Sequence, residues 1–108
     1  MKRHPVLEEL TPDPPEPGQV VSGNPEISEL TLLEAGDGAT SGLWQLTPGV
    51  VTDTEVEESF MVITGRGRVI FREGGVLELA PGFIHHFQGG EETTWEIEET
   101  LLKAYWIR

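Results

Sequence analysis

The chain has 108 residues, enough for one domain around one core, and 37% of them are hydrophobic, which argues against wholesale disorder. Nineteen acidic residues against seven basic ones give a formal net charge of −12. A surface of that sign repels phosphate backbones and anionic lipid, so nucleic acid and membrane are poor partners. There is no cysteine, hence no disulfide framework, no Cys-ligated zinc and no thiol catalysis.

Two glutamates, Glu8 and Glu9, interrupt what would be the apolar part of a signal peptide, and no apolar run approaches a membrane span of about 20 residues. The expectation is a cytoplasmic protein. A domain this short buries only about two-thirds of its unfolded surface, so a homodimer is expected to add stability.

Residues 1–18 read as an extended arm. Pro12, Pro14, Pro15 and Pro17 forbid helix and central strand alike. Val6, Leu7 and Leu10 offer apolar contacts for docking on a surface such as a partner subunit's; a mobile tail is the alternative.

From residue 19 the chain is a series of short strands, and residues 19–108 form the domain. Gln19–Ser22 comes first, then a turn at Gly23-Asn24-Pro25. Ile27–Glu34 alternates and ends at Ala35-Gly36-Asp37-Gly38, where Asp-Gly is a hairpin signal. Ser41–Thr47 carries Leu43, Trp44 and Leu46, and Pro48-Gly49 closes it. Asp53-Thr54-Glu55-Val56-Glu57-Glu58 reads as a solvated acidic loop. Its carboxylates suit a hard cation, but the run lacks the glycine and the spacing of a Ca²⁺-binding loop.

Glu58–Thr64 holds Phe60-Met61-Val62-Ile63, an apolar run that suits a strand buried on both faces. Gly65-Arg66-Gly67 is predicted to turn the chain as a hairpin, and no helix follows to make it a phosphate loop. Arg68–Arg72 and Val76–Leu79 form a hairpin across Glu73-Gly74-Gly75, and Pro81-Gly82 turns again. Phe83–Phe87, Thr93–Ile97 and Leu101–Ile107 are the last strands. No long window keeps a period of 3.6, so helix is not expected. About nine short strands imply a sandwich or a barrel.

Ser22-Gly23-Asn24-Pro25, Ser41-Gly42-Leu43-Trp44 and Thr47-Pro48-Gly49 open a pattern that continues through Glu58 and Gly65-Arg66-Gly67-Arg68-Val69. It goes on through Leu79-Ala80-Pro81-Gly82, Gly90, Thr94-Trp95-Glu96-Ile97 and Glu99-Thr100 to Lys103 and Tyr105. In order and spacing this resembles one cupin subfamily, small single-domain proteins of mostly unknown function that include ureidoglycine aminohydrolase-like domains. The resemblance covers roughly residues 19–108. It implies an all-β fold, a cupin-type jelly-roll β-barrel (double-stranded β-helix) whose two signature motifs aim side chains into one cavity. The first motif supplies two histidines and a glutamate between glycines, and the second supplies one more histidine. Three imidazoles and a carboxylate then hold Mn, Fe, Ni or Zn.

The chain departs from that pattern at the ligands. Counting back from Gly65 puts the carboxylate on Glu58, and counting back from Glu58 puts the two histidine positions on Thr52 and Thr54. Counting forward from Gly49 gives Glu55 and Glu57 instead, because the loop is short. The strand-fixed backward count is preferred here. The second motif's histidine position falls on Thr93. Threonine hydroxyls are poor ligands for transition metals, so no metal ligand and no cofactor is assigned. Strand parity puts Phe60 beside Glu58. A carboxyl next to an aromatic ring and without cationic ligands is expected to have a raised pKa.

His85 and His86 point to opposite faces of one strand and cannot chelate one ion together. Parity with Phe83 and Phe87 turns His85 inward, either as a hydrogen-bonded core histidine or as a replacement ligand or acid–base group facing Glu58. Trp95 shares the Thr93 face and is either core or pocket wall. Lys103 and Tyr105 share a face. In the aminohydrolase-like relatives the corresponding lysine lies at the pocket, so Lys103 is expected either to pair with Glu58, to hold a substrate carboxylate, or to be a solvated edge-strand lysine. No nucleophile elbow is present, and Ser41 and Ser59 have no histidine nearby in sequence.

These residues give a small-molecule-binding cupin with a degenerate metal site. Its pocket is lined by Glu58, Phe60, His85, Trp95, Lys103 and Tyr105, with Thr52, Thr54 and Thr93 at the vacated ligand positions. The competing expectation is a metal-dependent enzyme acting on a small nitrogen compound, as the aminohydrolase-like relatives suggest. A structural or regulatory subunit working through a dimer surface is a third.

Overall fold

The computed structural model describes residues 9–108. Nine strands follow in chain order: β1 Thr11–Pro12, β2 Val20–Gly23, β3 Ile27–Glu34, β4 Thr40–Leu46, β5 Gly49–Thr54, β6 Glu58–Phe71, β7 Val76–Leu79, β8 Ile84–Phe87 and β9 Glu92–Ile107. All pairings are antiparallel. This is the expected all-β jelly roll. Among the described residues no helix is long and apolar enough to cross a membrane.

Two long strands organise everything else. The first half of β6 lies between β8 and the second half of β9, and β4, β3 and β1 extend that side. The second half of β6 lies between β7 and the first half of β9, and β5 and β2 extend the other side. One curled sheet thus forms two facing layers that share β6 and β9.

Sharing requires both strands to bend in the middle, and the β6–β9 register shifts three times between Val62 and Gly67. Gly65-Arg66-Gly67 is therefore not a hairpin turn but the bend of a continuous strand. Gly65 has φ +105°, and a Cβ there would collide with the Thr100 carbonyl; one at Gly67 would collide with the Glu96 carbonyl. Only a residue without a side chain lets two bent strands cross this closely. The two strands expected at Thr93–Ile97 and Leu101–Ile107 are likewise one strand, bending through exposed Glu98-Glu99-Thr100.

Thr11 and Pro12 of the expected arm pair with Glu29 and Ser28, which ties that part to the domain's own edge. Half-buried Leu10 lines a hollow with Ile27 and Gln45. The contacts expected of Val6 and Leu7 lie outside the described residues. Between the layers the core collects Leu46, Val51, Phe60, Val62, Val69, Leu79, Phe87, Trp95, Ile97 and Leu101, all buried, with Tyr105 at the edge. These are the inward members of each period-two alternation.

Candidate functional site

Lys103 sits in the second half of β9 and Glu58 at the start of β6, both turned inward among apolar neighbours. The Lys103 Nζ donates to Glu58 Oε2 at 2.6 Å, and the two side chains are only 5% and 10% exposed. Trp44, the register partner of Lys103 on β4, places its ring centroid 4.6 Å from Nζ. Phe60 and Trp95 each lie at 5.0 Å. Three ring faces thus enclose an ammonium already bound to a carboxylate, each adding cation–π attraction in a desolvated setting.

A second carboxyl lies beside this pair. Glu55, in the short β5–β6 link, is 5% exposed. Its Oε2 accepts from Thr93 Oγ1 at 2.6 Å and from Trp95 Nε1 at 3.0 Å. Its backbone is pinned to the β8–β9 link, donating to the Glu91 carbonyl and accepting from Gly90 N–H, both at 2.8 Å. Burial pushes the Glu55 carboxyl above its ordinary pKa; the Thr93 and Trp95 hydrogen bonds oppose that shift. A cavity of about 250 Å³ opens over these groups, lined by Glu29, Trp44, Glu55, Glu58, Trp95, Lys103 and Tyr105, with Asp53 and Thr54 among its other lining residues. Wider hollows exist elsewhere on the surface, but this one has buried charged groups in its wall. Burial also raises the pKa of half-buried Glu29, helped by the charge of Asp13.

Of the residues singled out from sequence, Glu58, Trp95, Lys103, Tyr105 and Thr54 line this cavity. Phe60 is fully buried beneath it. Thr93 touches it through its bond to Glu55. Thr52 does not join them: on β5 the buried residue is Val51, and Thr52 takes the opposite face. There its amide and carbonyl bond to Gln19. The preferred backward count therefore reaches the cavity at Thr54 but not at Thr52. The forward count lands on Glu55, which is buried, and on Glu57, which is exposed. The acidic run is not a wholly solvated loop, since Glu55 and Glu58 both point inward.

His85 does not face Glu58. It is the register partner of Phe60 and packs among Phe60, Phe71, Phe83 and Phe87 at centroid distances of 5.1–6.3 Å. Burial lowers its pKa. Glu58 does have a cationic partner, since Lys103 Nζ stands 2.6 Å from its Oε2. Ser59 does have a histidine, across the ladder. His86 Nδ1 lies 2.7 Å from Ser59 Oγ and His86 Nε2 lies 3.1 Å from Glu57 Oε2. This trio is on the exposed outer face, away from the cavity.

The divalent metal implied by the cupin resemblance does not fit these residues. The motif's carboxylate is committed to an ammonium, whose charge would repel a second cation at the same oxygens. Neither histidine of the 85–86 pair lines the cavity. Among the described residues no three of His, Cys, Asp and Glu converge so that they could hold an ion.

Two bent strands shared by facing antiparallel layers, with a charged cavity at one end, define a protein of the cupin class. The chain belongs to the EutQ-like cupin domain family, whose model matches residues 33–105. No curated protein matches it. Among solved structures it is similar to a protein of unknown function from Pseudomonas syringae pv. tomato (24% identity, TM-score 0.79), covering 92% of this chain and 44% of that one. It is also similar to the EutQ protein of Clostridium difficile (14%, TM-score 0.66), covering 76% and 61%. A third is ectoine synthase from P. lautus (16%, TM-score 0.70), covering 97% and 76%. The chain thus spans less than half of the first relative and less than two-thirds of the second, and at these identities the likeness is one of fold.

Proposed function

We propose that this domain binds a small polar molecule in the barrel cavity, with the Glu58–Lys103 pair as its polar anchor where a metal centre is absent from the donor set. The observation that carries this reading is the buried pair itself, enclosed by Trp44, Phe60 and Trp95 on the wall of the cavity. Folding alone does not call for it. Well-packed apolar residues in place of a buried ion pair are often neutral or stabilising, so a pair kept inside a cavity supports a functional role. Two tryptophans, two buried carboxyls and a lysine around a small cavity set placed polar groups against an aromatic wall, the combination that fixes and orients a small ligand.

The reading of a metal-dependent enzyme on a small nitrogen compound lacks a ligand set among these residues. The test is a small-molecule screen read by tryptophan fluorescence and melting temperature, on protein purified without added metal or a His tag and assayed for metals. The expected result is saturable binding that Trp44→Leu weakens, with sub-stoichiometric metal. Stoichiometric Mn, Fe, Ni or Zn, with binding lost on chelation, overturns the proposal.

A further inference from the structure

The two layers turn opposite kinds of surface outward. On the layer of β8, β6, β9, β4 and β3 one row crosses all five strands. Ile84 stands opposite Met61, Met61 opposite Ala104, Ala104 opposite Leu43 and Leu43 opposite Leu30. Every member is apolar. Each points away from the core, because its sequence neighbour His85, Phe60, Lys103, Trp44 or Glu29 points in. The next row, in the same register, holds His86, Ser59, Trp106, Ser41 and Leu33. Ile84, Leu33 and Trp106 are 66%, 62% and 51% exposed. Leu102, Gln45 and Ser28 make a third row. Among these described residues there is no Asp, Glu, Lys or Arg, and Glu57 reaches the corner only through its bond to His86.

The outer face of the other layer is charged. There Arg66 pairs with Glu99, Arg68 with Glu96 and Arg72 with Glu92. Its exposed Val76 stands alone on edge strand β7.

Charge decides what covers the apolar face. The chain carries −12, so two copies meeting elsewhere bring carboxylates together. A basic partner would be drawn to those carboxylates and not to three rows without charge. The size fits as well. Five strands about 4.8 Å apart and three rows about 7 Å apart give a face of about 500 Å² in plan. Its standing side chains raise the accessible area towards the roughly 800 Å² per partner of a standard interface.

We propose that this face binds a second copy of the chain, sheet on sheet, in a two-fold contact. Such a contact needs one surface that complements itself. Here Trp106 projects beside Ala104, the small residue at the centre of the apolar row, so each copy offers both a knob and a place for one. Trp106 is the anchor, and the Ser59, His86 and Glu57 side chains form the polar rim.

The test is sedimentation equilibrium of the full chain over a range of concentration and salt. The expected result is a species of twice the 11.9 kDa of one chain. Added salt should tighten it, because like-charged copies repel less when screened; contact with an oppositely charged partner would respond the other way. Trp106→Glu should weaken the dimer about a hundredfold or more, and Ile84→Glu about tenfold or more. Val76→Glu makes the same change of net charge on the other face and should leave the dissociation constant unchanged. Far-UV circular dichroism checks the fold of each variant, and Ile84→Glu, on an edge strand, carries the test if Trp106→Glu fails that check. A chain that stays at 11.9 kDa at about 1 mM overturns the proposal. So does association indifferent to both face variants, or weakened as much by Val76→Glu.

Discussion

Phe60 divides the interior of this barrel into two aromatic regions. On one side stand Trp44 and Trp95 with Lys103, Glu58 and Glu55. On the other are Phe71, Phe83 and Phe87 with His85 between them. Phe60 touches both, at 5.0 Å from the Lys103 ammonium and stacked on Phe87 at 5.3 Å. In the second region the rings pack edge and face against one another, and burial lowers the pKa of the one titratable group, His85. In the first they surround charge. The comparison teaches that aromatic content alone does not mark a pocket; what distinguishes the first region is buried charge that packing does not require.

The largest effect expected in breaking that division comes from Lys103→Met. It strands Glu58 inside without a partner, and loss of one member of a buried pair costs about 3–5 kcal/mol. Denaturant unfolding should show this loss, and the double variant Glu58→Leu/Lys103→Met should recover most of it. A double variant as unstable as the single one would mean that Glu58 does not depend on Lys103.

Glu55→Gln is expected to act in the opposite direction. The Glu55 carboxyl stays protonated in the folded chain at pH values where the unfolded chain has already ionised. The unfolded state then binds fewer protons, and stability falls as pH rises from the ordinary glutamate range through the raised value. Removing the charge removes that loss. The variant should melt higher than the parent at neutral pH, and the gain should vanish on acidification below the ordinary range. A melting temperature unchanged at neutral pH would show that Glu55 carries no desolvation penalty.

The smallest effect is expected in the second region. His85→Leu swaps one half-buried ring for an apolar side chain of similar bulk and should cost less than about 1.5 kcal/mol, with no change in ligand binding. By NMR, His85 itself should titrate below the ordinary histidine value. A midpoint above it would place a carboxylate within reach and erase the boundary drawn at Phe60.

Much of the fold was legible in the sequence, and the reasons for the misses are physical. Ile27–Glu34 and Val76–Leu79 match their strands end to end, because alternation and flanking turn residues agree there. Gly65-Arg66-Gly67 misled because a strand bent at a close crossing needs the same residues as a hairpin turn. Gly49–Thr54 is a strand that the sequence reading does not assign, because acidic and threonine residues dilute its alternation. In the site, the cupin resemblance pointed Glu58 and, as one of its alternatives, Lys103 inward, and strand parity carried Phe60 and Tyr105 with them. Glu55 escaped because its direction depends on the length of a link, and two counts across that link disagreed. Glu29 and Trp44 reach the cavity through the pairing of β3, β4 and β9, a long-range fact that no local pattern carries.

Because β6 and β9 each run through both layers, neither layer can come apart without unzipping the backbone of the other. The domain should melt in a single step. Its folding should be slow for its size, since the last strand must find partners that begin far back in the chain at residue 40. A molecule gripped at the charged end should therefore slow hydrogen exchange at the Phe87 end too, through strands common to both.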